Sequence, residues 1–175
     1  MTFRSGFYAV PTDRWYIERA VWLIAGVVLI TSTSLAAFVD PRWILLVVAT
    51  GIASIAVALT GFCLVGNVLY RLGLKGLLAD PSRSDLYFMQ TDRWYLERRI
   101  YVTVGVNMTL ASILSLVHSA WWLAFTGFVG IAMVWFSATG FCILANVLYW
   151  IGAEPRLAPE CPKSPVPRPA LPLRQ

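Results

Sequence analysis

An all-α membrane protein is the fold class that the sequence predicts: four transmembrane helices arranged as two parallel tandem helical hairpins with pseudo-twofold symmetry. Three observations lead there. Charge is withdrawn from long stretches, one motif set occurs twice at a single spacing, and the basic residues avoid the hairpin tips.

The 175 residues are 58% hydrophobic and 13% charged, with a mean hydropathy of +0.68. Soluble domains usually carry about a quarter charged residues, so charge has been removed over long spans. Ala20–Val39 and Trp43–Tyr70 carry none, and Ile100–Ile151 holds only His118 as a titrating base. An apolar helix needs about 20 residues to cross a ~30 Å hydrocarbon core, and these blocks supply four such spans. The net charge of +5 does not point to nucleic acid. Basic residues sit in short flanks beside apolar spans, as topology determinants and lipid headgroup contacts do.

The repeat sets the organisation. Thr12-Asp13-Arg14-Trp15-Tyr16-Ile17-Glu18-Arg19 returns as Thr91-Asp92-Arg93-Trp94-Tyr95-Leu96-Glu97-Arg98, and Thr60-Gly61-Phe62-Cys63 as Thr139-Gly140-Phe141-Cys142. Asn67-Val68-Leu69-Tyr70 returns as Asn146-Val147-Leu148-Tyr149, and Gly26, Gly51 and Gly73 as Gly105, Gly130 and Gly152, all 79 positions on and without a gap. The chain divides into a first hairpin with an interfacial N-terminal helix (1–76), a linker (77–90), a second hairpin (91–152) and a Pro-rich tail (153–175).

Each element follows in order. Residues 1–19 are polar and aromatic and are followed by no small-residue cleavage site, so the first span is expected to stay as an anchor. Thr12-Asp13 and Thr91-Asp92 offer N-caps to an amphipathic first turn. Val39-Asp40-Pro41-Arg42 makes the first tip and His118-Ser119-Ala120 the second. From Arg42 to Tyr70 the second span runs 29 residues, or ~43 Å as one straight helix. Gly73 and Gly152 stand where a helix C-terminus uses glycine. Of fourteen Lys and Arg, only Arg42 lies at a tip. The positive-inside rule then makes both termini and the linker cytoplasmic. Two spans per repeat make the copies parallel, unlike inverted-repeat transporters. The tail holds seven prolines, among them Pro162 and Pro165, and reads as solvated chain or a polyproline ligand.

Two constellations could carry chemistry. Arg14, Glu18 and Arg19, with Arg93, Glu97 and Arg98, form a candidate cytoplasmic rim. Arg14 and Glu18 are four apart and can pair, while the tryptophans suit the headgroup zone. Thr60, Cys63, Asn67 and Tyr70 fall within about 80° on one helix face, with Gly61 allowing close approach of a neighbour. With Thr139, Cys142 and Asn146 they form a candidate thiol or ligand site at the same membrane level as the rim. Small and amide side chains also serve helix packing. Cys63, Cys142 and Cys161 are too scattered for a disulfide framework or a metal site. His118 is alone at a tip, and no acidic or basic residue lies deep in a span, as a proton relay would need. No enzyme motif, cofactor or metal is expected. The partners expected are the lipid bilayer and other membrane subunits.

The Arg19-to-Gly26 and Arg98-to-Gly105 spacing, followed by Thr-Gly-Phe-Cys and a closing Leu-Gly or Ile-Gly, resembles the YgaP-like inner-membrane domain. That family is a bacterial two-helix hairpin, at times fused to a rhodanese sulfurtransferase. The resemblance covers Thr12–Gly73 and Thr91–Gly152. Leu64 and Ile143 stand where family members commonly have proline, and no rhodanese domain is present. It implies a dimerisation unit fused to its own copy, in a bacterial inner membrane, and a link to sulfur compounds that would map onto Cys63 and Cys142. Function is expected to be that of a non-enzymatic scaffold or accessory subunit of a larger membrane complex. The alternative is a carrier or exporter of a small sulfur species or anion.

Overall fold

The computed structural model describes residues 6–83 and 85–157. Cys161 and the prolines of the tail lie outside the described residues. Within them the chain is helical: α1 (Ile17–Phe38), α2 (Ile44–Thr60), α3 (Leu64–Arg71), α4 (Leu96–Val117), α5 (Trp121–Thr139) and α6 (Ile143–Trp150). Ile17–Phe38, Pro41–Thr60, Leu96–Val117 and Trp121–Thr139 are each long and apolar enough to cross a membrane. Only 22–39% of each apolar window is buried inside the chain, so most of this apolar surface faces outward, as it does in a multi-pass membrane protein.

α1 and α4 begin later than the sequence suggests. Thr12-Asp13 and Thr91-Asp92 are exposed and outside any helix, and the N-caps are Tyr16 and Tyr95, with no side-chain cap bond. A backbone acceptor replaces the cap: the Ile17 amide donates to the Lys75 carbonyl at 3.1 Å, and the Leu96 amide to Glu154 at 2.8 Å. At the first tip the Asp40 carboxylate accepts the Arg42 amide at 2.8 Å. Together with Pro41 this fixes a single 3₁₀ turn over Pro41–Trp43 that leads into α2.

The 29-residue second helix is not formed. Gly61 (φ 77°) and Gly140 (φ 76°) close α2 and α5 in the left-handed conformation, their amides bonded to Val57 and Phe136. The glycine is needed twice over, since a Cβ at Gly61 would also lie 2.4 Å from the Met89 carbonyl. The next residue is extended and makes an antiparallel bridge, Phe62 to Phe88 and Phe141 to Ala9. Bonds from Met89 N to Gly61 O (2.8 Å) and from Val10 N to Gly140 O (3.0 Å) complete it. Short helices α3 and α6 then restart. Leu64 and Val68 on α3 and Leu72 at its C-cap are exposed, the apolar face of a helix suited to lying in a membrane interface.

Packing crosses between the halves. α1 lies chiefly against α5, and α2 against α4, more than either does against its own hairpin partner. Glycines permit it. A Cβ on Gly26 would stand 2.8 Å from the Gly130 carbonyl, and one on Gly105 2.6 Å from that of Gly51. Without a hydrophobic drive between helices in lipid, such small-residue contacts let backbones approach closely and hold them by van der Waals packing. Trp22 stacks on Phe136 with centroids 4.5 Å apart. Leu29, Val47 and Met108 fill the bundle's middle with no exposure.

Candidate functional site

The motif residues converge at the end of the bundle where α1 and α4 start and α2 and α5 stop, here termed the basic end. Glu18 lies in the first turn of α1, where a carboxylate suits the helix dipole. It is fully buried. Its Oε1 accepts the Leu78 amide at 2.6 Å and the Tyr87 hydroxyl at 3.0 Å, and its Oε2 the Leu77 amide at 3.1 Å. Glu97 repeats the arrangement with its two amide donors 79 positions further on and its tyrosine 79 positions back. It accepts the Leu157 amide at 2.8 Å, the Arg156 amide at 3.0 Å and the Tyr8 hydroxyl at 2.8 Å. Tyr8, upstream of α1, binds the acid of α4, and Tyr87, upstream of α4, binds the acid of α1. Burial and the adjacent carboxylate push both phenols up from their ordinary value, which keeps them protonated donors.

Each arginine does the same across the halves. Arg19 Nε donates to the Ser137 carbonyl at 2.7 Å and Nη1 to the carbonyls of Thr12 and Arg14 at 2.8 and 3.1 Å. Arg98 Nε donates to Ala58 at 2.6 Å and Nη1 to Thr91 and Arg93 at 3.0 and 3.2 Å. Ala58 and Ser137 lie in the last turns of α2 and α5, where carbonyls lack helical partners and the dipole favours a cation. The guanidinium groups stack over Trp15 and Trp94 at 4.3 and 4.0 Å.

The Arg14–Glu18 pairing expected from their spacing does not form. Glu18 turns toward the 77–78 loop, and Arg14 and Arg93 are exposed, offering only their carbonyls to the neighbouring arginine.

The second constellation is divided by the helix break. Thr60 and Thr139 are exposed, and their hydroxyls bond to their own helix end: Thr60 donates to Ala56 and accepts from Phe62. The shared face with Cys63 and Asn67 is therefore lost, because Gly61 turns the chain between them. Asn67 is buried and clamps the backbone of Tyr87, donating to its carbonyl at 2.9 Å and accepting its amide at 2.9 Å. Asn146 clamps Tyr8 in the same way, at 3.0 and 2.7 Å. The two constellations do meet, through a tyrosine that belongs to the other half.

Cys63 is buried and caps α3, its sulfur accepting the Gly66 amide at 3.2 Å. Cys142 stands at the N-cap position of α6 without a side-chain cap bond and is half-buried. Burial pushes both thiols up, only partly offset by helix N-terminal amides, so neither is held as a thiolate. Among the described residues no group of three or more His, Cys, Asp or Glu could hold a metal. His118 is exposed at the tip and accepts the Trp122 indole N–H at 3.3 Å.

Tyr8, Tyr87 and the 77–78 and 156–157 amides were not among the sequence candidates. Tyr8 with Tyr87, and Leu78 with Leu157, obey the 79-residue spacing, and that signal could have found them. The segments read as linker and tail are partly core: Leu78, Met89, Ala153 and Leu157 are buried.

At the tip end a cavity of about 500 Å³ opens between the helices, with Thr33, Ser115, Ala120 and Gly127 in its wall. Leu29, Val47 and Met108 pack together deeper in the bundle. Comparison with protein-family models, with curated proteins and with solved structures gives no match.

Proposed function

We propose that this chain is a non-enzymatic scaffold or accessory subunit of a larger membrane complex. It would sit in a bacterial inner membrane with both termini cytoplasmic, as a fused pair of YgaP-like hairpins. One observation carries the reading: an unpartnered seam on α5. Trp121, Phe128 and Trp135 recur every seven residues, with Ala124, Ile131 and Ala138 interleaved at the positions a coiled-coil seam uses. All six are exposed, Trp121 at 81% and Phe128 and Trp135 at 62% each. Glu18, Arg19 and Asn67 and their counterparts Glu97, Arg98 and Asn146 meanwhile are spent on internal bonds, which fits a rigid frame better than a binding rim. The basic residues of the flanks favour the cytoplasmic side by the positive-inside rule.

A photo-crosslinking residue at Phe128 tests it in native membranes. One membrane protein trapped at Phe128, and not from Ile52 on the outward face of α2, supports a specific neighbour. Adducts with lipid alone remove the seam as an interface.

The carrier reading keeps one favourable observation, the matched placement of Cys63 and Cys142 beside apolar creases of the bundle. It requires that Cys63→Ser with Cys142→Ser abolish flux of a small sulfur species while folding is kept. Unaltered flux ends it.

A further inference from the structure

Because α1 packs on α5 and α2 on α4, each hairpin is left with a crease between its own two spans. The first crease encloses about 220 Å³, with Ala25, Ala53 and Val57 in its walls and Cys63 and Val65 closing the basic end. The second encloses about 450 Å³, with Val104, Ala132 and Phe136 in its walls and Cys142 and Leu144 at the same end. Ala53 and Ala132, Val57 and Phe136, Cys63 and Cys142, and Val65 and Leu144 are counterparts 79 residues apart. The helical walls of both creases belong to the apolar spans, and Cys63, Val65, Cys142 and Leu144 close them just beyond those spans, so in a bilayer hydrocarbon meets the walls.

We infer that each crease is a binding site for one acyl chain of an anionic glycerophospholipid. Size selects the chain. A helix is about 10–12 Å across and rises 5.4 Å per turn, so a single turn fills on the order of 400–600 Å³. The first crease is smaller than that and the second holds about one turn, so neither seats a transmembrane helix. A single extended hydrocarbon chain is thin enough for both. Leaving such a crease empty would forfeit dispersion contacts along its walls.

Charge selects the headgroup. Arg14, Arg71, Lys75, Arg93 and Arg99 are exposed at the basic end, next to the interfacial helices that close the creases. Cationic side chains at that level attract anionic lipid. The thiols thereby act as the apolar floor of a lipid site, sealed from water by the bound chain. Phe128 and Trp135 of the α5 seam also line the second crease, whereas no seam residue lines the first, so the first crease holds or fails independently of the scaffold reading.

The full chain, delipidated in detergent, is incubated with dioleoyl phosphatidylglycerol or dioleoyl phosphatidylcholine and weighed by native mass spectrometry. The wild type is expected to retain two phosphatidylglycerol molecules and to lose phosphatidylcholine under the same activation. Ala53→Trp fills the first crease from its exposed wall and Ala132→Trp the second from its half-buried wall, and each is expected to retain one. Ile52→Trp, on the outward face beside the first crease, is expected to retain two. Retention of none by the wild type, equal retention of both lipids, or the same number in all variants overturns the inference. A second measurement does not depend on variants folding. Phosphatidylglycerol bearing a diazirine in one acyl chain is expected to label wild-type peptides containing Ala53 and Ala132. Labelling spread evenly over the exposed faces of α2 and α5 overturns it as well.

Discussion

Glu18→Ala removes the acceptor on which three donors converge, and the loss can be worked from the structure. The Leu78 amide and the Tyr87 hydroxyl are buried, and the Leu77 amide is at a more exposed residue. A buried donor left unpaired costs about 1–3 kcal/mol, and bonds to a charged acceptor sit in the upper part of that range. Two fully buried donors and one partly wetted one give a loss of about 3–6 kcal/mol, a large share of the 5–15 kcal/mol that holds a typical domain together. Glu18→Gln keeps the volume and one acceptor oxygen but turns an NH₂ toward one amide, so about 2 kcal/mol is expected. Reversible unfolding in mixed micelles, followed by tryptophan fluorescence, measures both. In a double-mutant cycle with Tyr87→Phe, the pair should couple by 0.5 kcal/mol or more, as directly bonded residues do. Glu97→Gln with Tyr8→Phe should behave alike. A Glu18→Ala variant within about 0.5 kcal/mol of wild type, the range of ordinary surface changes, would refute the view that these acids clasp the two halves.

Three further outcomes follow from the same geometry. Gly26→Val places a branched side chain where even a Cβ would stand 2.8 Å from the Gly130 carbonyl, so an overpacking loss of about 1–3 kcal/mol is expected in the same unfolding assay. Gly61→Ala should cost about 1–2 kcal/mol for the left-handed backbone alone, and more because Met89 O blocks the Cβ; an unchanged midpoint would contradict the break at Gly61. Cys63 and Cys142, both pushed up by burial, should alkylate more slowly at neutral pH than a free cysteine of pKa about 8.5. In a Cys161→Ser background, iodoacetamide rates should climb only as pH passes above that value. A thiol raised on folding also stabilises the native state below its unfolded pKa, and that contribution is lost as pH rises through the folded one.

The spans were legible because lipid solvation demands runs without charge, and those runs end where Arg19, Asp40 and Arg99 stand. Gly73 was legible as a helix end because charge returns at Arg71 just before it, and its backbone is left-handed at φ 92°. Gly61 was read as a packing glycine although it ends a helix in the same way. Its neighbours stay apolar on both sides, so no change in hydropathy marks the turn, and its partner Met89 is 28 residues away in the linker. Glu18 and Arg19 drew attention as a rim because charges at the start of a span usually meet headgroups. Their partners at 77–78, 87 and 137 come from segments far along the chain, which periodicity on one helix does not reveal. Arg14–Glu18 spacing was a sound local cue overridden by a stronger acceptor site: two backbone amides and a phenol hold the carboxylate in the interior. The exchange of packing between halves was hidden for a related reason. Short tips suggest that adjacent helices pack together, while matched glycines at 26 and 130, and at 51 and 105, draw α1 to α5 and α2 to α4.

The scaffold reading is tested most directly by extracting the chain from its native membrane without detergent exchange, in polymer-bounded discs, and measuring the mass and subunit ratio of what comes with it. A single membrane partner at a fixed ratio, lost when Phe128 and Trp135 on α5 are changed to alanine, is the expected result. A lone monomer with lipid only, unaffected by those changes, would contradict it.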